Sequence, residues 1–202
     1  KWNMEISYES YNDIDIIETY CTMTSILGND FIPHLLTIEL KTDGIDKLIS
    51  ATKISIQQHG LLICNGKINY NTLKSIFKYL STTEDKDIHY VCEKYINKKI
   101  MGDAKLPSDC YALKNKDNLS YYIYNNPGNW QKEYYKQIFN TNITLDSTDM
   151  FNSCNNYIKG IYWVYSYYKG SDIDCEWFYP YNYPPTLKDL TNHSIAYEEP
   201  II

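Results

Sequence analysis

The sequence of 202 residues predicts a mainly α-helical fold with one small β-hairpin. Two observations predict this fold: apolar residues recur at helical spacing in several long segments, and one Asn-Gly pair separates two short apolar runs. Hydrophobic residues make up 44% and charged residues 22%, which is typical of a globular protein with a core of its own. No apolar run is long enough to span a membrane, and no signal peptide stands at the start.

The first predicted helix covers residues 12–27. Its apolar stripe consists of Ile16, Tyr20, Met23 and Leu27. Asn12 or Asp13 would cap the start of this helix, and Gly28 would end it. Asp30 then lies just past a helix end, at a turn.

The remaining helices are predicted from the same periodicity. They cover residues 44–58, 71–80, 84–100, a segment that begins near 130, and 146–169. The apolar stripe of the last helix consists of Phe151, Cys154, Ile158, Ile161, Tyr165 and Tyr168. Because Asn and Gly both tolerate positive φ, the Asn65-Gly66 pair predicts a hairpin between the second and third helices.

Two segments do not fit a helical pattern. Residues 102–128 are rich in Asn, Asp, Lys, Gly and Pro, and we expect a long connection there. The tail "CEWFYPYNYPPTLKDL" has too many prolines for a regular helix and too many aromatic residues for a solvated tail. We therefore expect it to pack on the protein, with Tyr179, Tyr181 and Tyr183 as scaffold residues.

Charge and cysteine content exclude some classes of protein. The net charge of −6 argues against a protein that coats nucleic acid, but not against a nuclease, whose metal site is built from carboxylates. The six cysteines are scattered without zinc spacing, which predicts free thiols and a reducing compartment such as the cytoplasm. The 22 tyrosines, with many Asn, Ile and Lys, are typical of an AT-rich coding sequence, as in many large DNA viruses and some protists.

Asp30 is the strongest candidate for chemistry. A carboxylate between Leu27 and Phe31 is costly to bury unless a positive charge or a helix N-terminus compensates it. Mg²⁺ or Mn²⁺ would do so, because these ions prefer oxygen ligands. The nearby acids Asp13, Asp15, Glu18, Glu39 and Asp43 are not brought to Asp30 by their spacing. The pattern alone therefore leaves two roles open for Asp30, a metal ligand and a structural hydrogen-bonding residue.

The other candidates are less specific. His34 could be a base, a ligand or a packed histidine, and its residue type favours the packed position. Trp and Tyr side chains of the tail could stack on nucleic-acid bases, which requires no particular base sequence, or could belong to the core.

Three stretches resemble the Xrn-type 5′→3′ exoribonuclease family. They are "ILGNDFIPHL", "NWQKEYYKQIF" and "NYIKGIYWVYSYYKGSDIDCEWFYPYNYPPTLKDL", and they follow the order of the family from about residue 12 to about residue 190. The first resembles the segment with a late acidic metal ligand, the second a short Trp-Tyr-Tyr block, and the third the second conserved region of the family.

This resemblance implies an enzyme that removes nucleotides from RNA with a 5′ monophosphate and uses Mg²⁺ or Mn²⁺. Asp30 matches one of the metal ligands of the family. The metal and the RNA phosphate would compensate the apolar setting of this carboxylate. Trp177, or else Trp163, matches a Trp that stacks on the first base, and His34 is a further candidate for RNA binding. The fold implied is the C-terminal edge of a PIN/FEN-like α/β nuclease core followed by the helical second region.

The resemblance also suggests how the chain is organised. Residues 1–43 would end the nuclease core and carry the GNDFIPH motif. Residues 44–125 would be a helical region with the hairpin and a long connection. Residues 126–202 would be the helical second region with its Tyr/Pro loop. The other metal ligands of the family precede the GNDF motif, so we expect a partner segment, in the same chain or in a separate one, and no activity from these 202 residues alone.

Departures from the family pattern leave an alternative. Lys169 stands where the family often has a third aromatic residue, Asn182 where it has His, and Pro184 where it has Ala. A relative that lost catalysis and serves as an RNA-binding or protein-assembly module is the alternative to the exoribonuclease.

Overall fold

The structure is a computed structural model, and it describes residues 11–38, 40, 43–97, 118–139, 148–181 and 183–197. The described part is mainly helical with one two-stranded sheet, which confirms the predicted fold class. In chain order the elements are α1 (Asp13–Ser25), α2 (Gly44–His59), β1 (Ile63–Cys64), β2 (Lys67–Ile68), α3 (Tyr70–Ser81), α4 (Glu84–Asn97), α5 (Asn118–Asn125), α6 (Trp130–Phe139), α7 (Thr148–Lys169) and α8 (Leu187–His193).

These elements belong to two compact units. Helices α4, α5 and α6 form one unit, and all the other elements form the second. The three-part division predicted from the sequence follows motifs along the chain rather than packing, and it stays a prediction.

The hairpin forms where the sequence predicted it. Strands β1 and β2 are antiparallel, with Ile63 opposite Ile68. Asn65 has a φ of 53° and Gly66 a φ of 71°, which are the left-handed values that a two-residue hairpin turn requires. This local chemistry therefore fixes the turn and its register.

Helix ends also follow the predicted signals. Asn12, and not Asp13, caps α1, because its side-chain oxygen accepts the N–H of Ile14 at 3.0 Å. Gly28 follows α1 with a φ of 98°, and Gly60 ends α2 with a φ of 84°. Glycine adopts these conformations without steric cost. Helix α1 ends at Ser25, two residues before its predicted end, and α2 ends at His59, one residue after its predicted end.

The buried face of α1 differs from the predicted stripe. Tyr20 of that stripe is 43% exposed, whereas Asp15 and Thr19 are buried. The Asp15 carboxylate accepts the backbone N–H of Asn65 at 3.1 Å, and the Thr19 hydroxyl accepts that of Ile63 at 2.9 Å. Helix α1 therefore packs on the hairpin through polar contacts, which helical periodicity cannot predict.

The core of the larger unit lies between its longer helices. Helix α3 packs against α2 and α8, and α7 packs against α8 and α1. Fully buried apolar side chains at this centre are Leu48, Leu62, Leu73, Ile76, Phe77, Ile158, Ile161 and Leu190. Burial of this kind stabilises a fold by roughly 1.5–3 kcal/mol per side chain.

The smaller unit corrects one prediction. Helix α4 confirms the predicted helix over Glu84–Asn97, and residues 98–100 lie outside the described part. Helix α5 lies within residues 102–128, so the expected long connection is wrong there; residues 102–117 lie outside the described part.

The Trp-Tyr-Tyr block builds the interior of this smaller unit. Trp130, Tyr134 and Tyr135 are fully buried on α6. The Trp130 Nε1–H group donates to Asp85 Oδ1 at 3.0 Å. A buried indole N–H needs such a partner. This block therefore has a structural role in its own unit.

Helix α7 and the tail complete the larger unit. Of the predicted α7 stripe, Phe151 and Tyr168 at the two ends are exposed and the four central residues are buried. The tail packs as predicted at Tyr179, which is buried and whose hydroxyl donates to the carbonyl of Tyr183 at 3.0 Å. Its last residues depart from the prediction, because α8 begins at Leu187.

Cys21, Cys64, Cys154 and Cys175 are free thiols, as predicted, and Cys110 lies outside the described part. Within the described ranges, no helix has both the length and the apolar character needed to cross a lipid bilayer.

Candidate functional site

The loop that carries Asp30, residues 28–34, is shaped by the residue before it. Asn29 Oδ1 accepts the backbone N–H groups of Phe31 at 2.9 Å and of Ile32 at 3.0 Å. Asn29 Nδ2 donates to the carbonyl of Ser25 at 3.2 Å. An Asn side chain that bonds the backbone in this way holds a turn. Asn29 is therefore the structural residue of the motif, and Asp30 does not have to fill that role.

The 28–34 loop is fastened to α7. The hydroxyl of buried Tyr157 donates to the carbonyl of Pro33 at 2.9 Å. A β-carbon on Gly160 would lie 2.7 Å from Ile32 Cγ2 and 3.1 Å from Trp177 Cη2. Glycine inside a helix is unfavourable by propensity, and here its missing side chain allows the loop and the tail to approach α7.

Four aromatic residues meet beside this loop, and we call them the ring cluster: Phe31, Trp163, Tyr167 and Trp177. The ring of Trp163 lies 4.8 Å from Phe31, 5.5 Å from Tyr167 and 5.8 Å from Trp177, between centroids. Trp163 and Tyr167 are stacked, with 6° between their planes. The Trp163 N–H group donates to the carbonyl of Asp174 at 2.8 Å, which fixes the indole on α7.

Asp30 is exposed next to the ring cluster. Phe31 follows it directly and packs on Trp163 and Tyr167, so the carboxylate lies one residue from these rings. The argument that Asp30 is buried and needs a compensating charge is therefore wrong. Within the described residues, no three His, Cys, Asp or Glu side chains come together as a metal site requires. Asp30 offers a single carboxylate, which alone does not hold a divalent ion.

His34 is half-buried at the end of the same loop. Its Nδ1 lies 2.9 Å from the carbonyl of Leu35. A carbonyl only accepts, so the Nδ1–H group of His34 is the donor of this hydrogen bond. Gly28 packs closely on the start of this residue, because a β-carbon on Gly28 would lie 2.9 Å from His34 Cβ.

The predicted site residues thus converge on one region of the larger unit. Asp30 and His34 lie on the 28–34 loop, and Trp163 and Trp177 lie in the ring cluster that packs against it. Sequence reasoning assigned no role to Phe31, Tyr167 or Gly160. Tyr167 stands four residues after Trp163 on one helix face, and a glycine inside a helical stripe indicates close packing. These two signals are present in the sequence and could have identified Tyr167 and Gly160.

Burial keeps the groups behind the site neutral. It raises the pKa values of Tyr157 and Tyr179 well above the usual tyrosine range. Burial also raises the pKa of the Cys154 thiol, with a smaller contribution from Asp189. Tyr157 therefore keeps the proton that it donates to Pro33, and the cysteine is not an activated nucleophile.

Comparisons with known proteins place the chain in a family. A family model described as the Xrn1 helical domain matches residues 10–118 and 114–199, which is most of the chain. The chain is 24% identical to 5′-3′ exoribonuclease 1 of Homo sapiens over 89% of its own length and 13% of that protein. It is 20% identical to the 5′-3′ exoribonuclease 2 homolog of Drosophila melanogaster, over 87% of its own length and 25% of that protein.

A third relative is matched over a shorter stretch. The chain is 30% identical to 5′-3′ exoribonuclease 2 of Debaryomyces hansenii over 35% of its own length and 7% of that protein. The chain therefore spans a quarter or less of each of these three relatives. Because the family model covers both the 28–34 loop and the ring cluster, the chain belongs to the Xrn1 helical domain family.

Proposed function

We propose that this chain is part of a 5′→3′ exoribonuclease that degrades RNA with a 5′ monophosphate. Its relatives carry the name 5′-3′ exoribonuclease, which supports the reaction class. The observation that carries the proposal is the exposed carboxylate of Asp30 on a rigid loop, one residue from the ring cluster. A charged group for phosphate chemistry next to a surface for a base would suit this reaction.

Asp30 would act as one ligand of Mg²⁺ or Mn²⁺. A bound divalent ion would neutralise phosphate charge and orient water. The described residues supply one such carboxylate and do not complete a metal site. We therefore propose that the other ligands come from a nuclease segment, in the same or a separate chain, and that residues 1–43 form the edge of its PIN/FEN-like core. These 202 residues alone would then be inactive.

The ring cluster would bind the 5′ end of the RNA. Trp177 is our first choice for the ring that stacks on a base, because it is half-buried and lies at the edge of the cluster. Trp163 contacts three rings and would act mainly by holding the others. His34 would contact the RNA through Nε2, because its Nδ1 already bonds the carbonyl of Leu35. The unpaired thiols support the cytoplasm as the compartment.

A second function is favoured by one observation. The described residues contain no group of three metal-ligating side chains. A module that only binds RNA or a partner protein would not need such a group. In that case the ring cluster would serve binding, and Asp30 would not be needed for it.

A degradation assay separates the two functions. The full-length gene product would be incubated with 5′-monophosphate RNA and with 5′-hydroxyl RNA, with and without Mg²⁺. Metal-dependent loss of the monophosphate RNA alone supports the exoribonuclease, and Asp30→Asn should then abolish the loss. If neither RNA is degraded by a folded protein, the binding module is the better proposal.

A further inference from the structure

A cleft of about 540 Å³ runs along α7 beside the ring cluster, and we call it the α7 cleft. It is lined on α7 by Lys159, Tyr162, Trp163, Tyr165, Ser166 and Lys169, and also by residues 171–174, which follow the end of that helix. Tyr197 lies at the Lys159 end and Gly66 at the Lys169 end. Its volume falls in the range of clefts that bind ligands, about 300–1,000 Å³.

Two aromatic rings hold Lys159 at one end of the α7 cleft. Its Nζ lies 5.6 Å from the centroid of the Trp177 ring and 6.0 Å from that of Tyr197. Contacts with aromatic faces hold an ammonium group but do not neutralise it. Among the residues that the structure describes, no carboxylate lies within ion-pair distance of Lys159.

Lys169 is positioned at the other end by the hairpin. Its Nζ donates to the carbonyl of Gly66 and to the hydroxyl of Tyr165, both at 3.2 Å. A β-carbon on Gly66 would lie 2.4 Å from this nitrogen, so the glycine turn makes room for it. An ammonium group has three donors, and the third is left for a ligand on the exposed side.

The distance between the lysines indicates what binds. They stand ten residues apart on α7, which corresponds to about 15 Å of helix. A single phosphate cannot contact both, whereas a chain of several phosphates can. Asp172 and Asp174 also line the cleft, so the phosphates would keep away from these carboxylates and follow the two lysines. The ring of Tyr197 in the cleft suits an unpaired base, which a duplex does not offer.

We propose that the α7 cleft binds single-stranded RNA next to the ring cluster, with Lys159 and Lys169 as contacts to two backbone phosphates. This inference rests on the proposed function, because it takes the RNA that enters the ring cluster as the ligand. It adds two phosphate contacts that the ring cluster does not provide. The contacts would be independent of base sequence.

The salt dependence of binding tests this proposal. Fluorescence anisotropy of this chain with a labelled single-stranded oligouridine would be measured in EDTA, between about 50 and 200 mM salt. Changing Lys159 and Lys169 to Gln should reduce the slope of log K against log salt by about 1.4, which is 0.7 for each contact on a single strand. The matched control changes Lys53 and Lys78, on α2 and α3, to Gln and should leave the slope unchanged.

Further variants decide how the result is interpreted. Changing both cleft lysines to Arg keeps the charges and should restore the slope, which a mere folding defect in the Gln pair would not explain. Thermal unfolding of each variant checks the fold. An unchanged slope in a folded Gln pair, an equal loss in the control pair, or no binding of single-stranded RNA by the wild-type chain would overturn the proposal.

The binding assay and the degradation assay can fail separately. If the lysine pair sets the salt slope but the full-length product degrades no RNA, the α7 cleft is supported and the exoribonuclease is not. If degradation depends on Asp30 while the lysine pair leaves the slope unchanged, the exoribonuclease stands and the α7 cleft is refuted.

Discussion

Replacing Gly160 by Ala tests how closely the 28–34 loop and the tail pack on α7. In a helix interior, this change ordinarily stabilises by about 0.8–1.0 kcal/mol. Here the new methyl group would lie 2.7 Å from Ile32 Cγ2 and 3.1 Å from Trp177 Cη2. Ile32 is 1% exposed and β-branched, so its side chain has little room to move. Overpacking of this kind costs about 1–3 kcal/mol, and the net loss should be about 0–2 kcal/mol.

Urea unfolding measures this loss directly. Gly128→Ala is the control, because a β-carbon there meets no atom within 4 Å and its φ is not in the left-handed region. The control should be neutral or slightly stabilising, by up to about 1 kcal/mol. In Ile32→Leu the branch methyl Cγ2 is missing, so the double variant with Gly160→Ala should lose less stability than the two single variants together.

One result would refute the reasoning. If Gly160→Ala is more stable than the wild type by about 1 kcal/mol, helix propensity alone decides at this position. This result would show that Ile32 and Trp177 do not approach α7 closely. The attachment of the 28–34 loop to α7, which depends on that approach, would then be refuted.

Three further predictions follow from the site. In the full-length protein, Asp30→Asn should abolish RNA degradation without lowering the unfolding midpoint, because the side chain is exposed. Activity near the wild-type level would show that Asp30 does not belong to the active site. Trp177→Ala should weaken single-stranded RNA binding by about 1–3 kcal/mol in a titration, and an unfolded variant would instead show a core role. Stability should decline as pH rises above about 8.5–10, because Cys154, Tyr157 and Tyr179 keep their protons in the fold but lose them in the unfolded chain. Cys154→Ala should make the decline between about pH 9 and 10 shallower in urea unfolding, and an unchanged pH profile would contradict the role of this thiol.

Local signals in the sequence predicted most of the helices and the hairpin. Asn65 and Gly66 both adopt positive φ, and this requirement can be recognised from two residues. The buried face of α1 could not be predicted in this way, because Asp15 and Thr19 are buried by hydrogen bonds to residues 50 and 44 positions away. Such contacts depend on the whole fold and leave no periodic pattern.

The candidate site could be predicted only in part, because it also depends on contacts between residues that are distant in the sequence. Asp30, Trp163 and Trp177 could be singled out from motifs, but the packing of Phe31 on Trp163 joins residues 132 positions apart. The exposure of Asp30 was predicted wrongly, because flanking apolar residues say little about which way a turn residue points. Asn29 makes the hydrogen bonds that shape this turn.

The hydrogen bond from Tyr157 to Pro33 has a consequence for the timing of synthesis. These two residues are 124 positions apart, and a ribosome adds about 5–20 residues per second. The nascent chain therefore carries Asp30 for roughly 6–25 s before the helix that holds its loop has been made. Under the proposed function, the acidic loop and the rings cannot meet during this interval, so an unfinished enzyme has no assembled site with which to attack the RNA that encodes it.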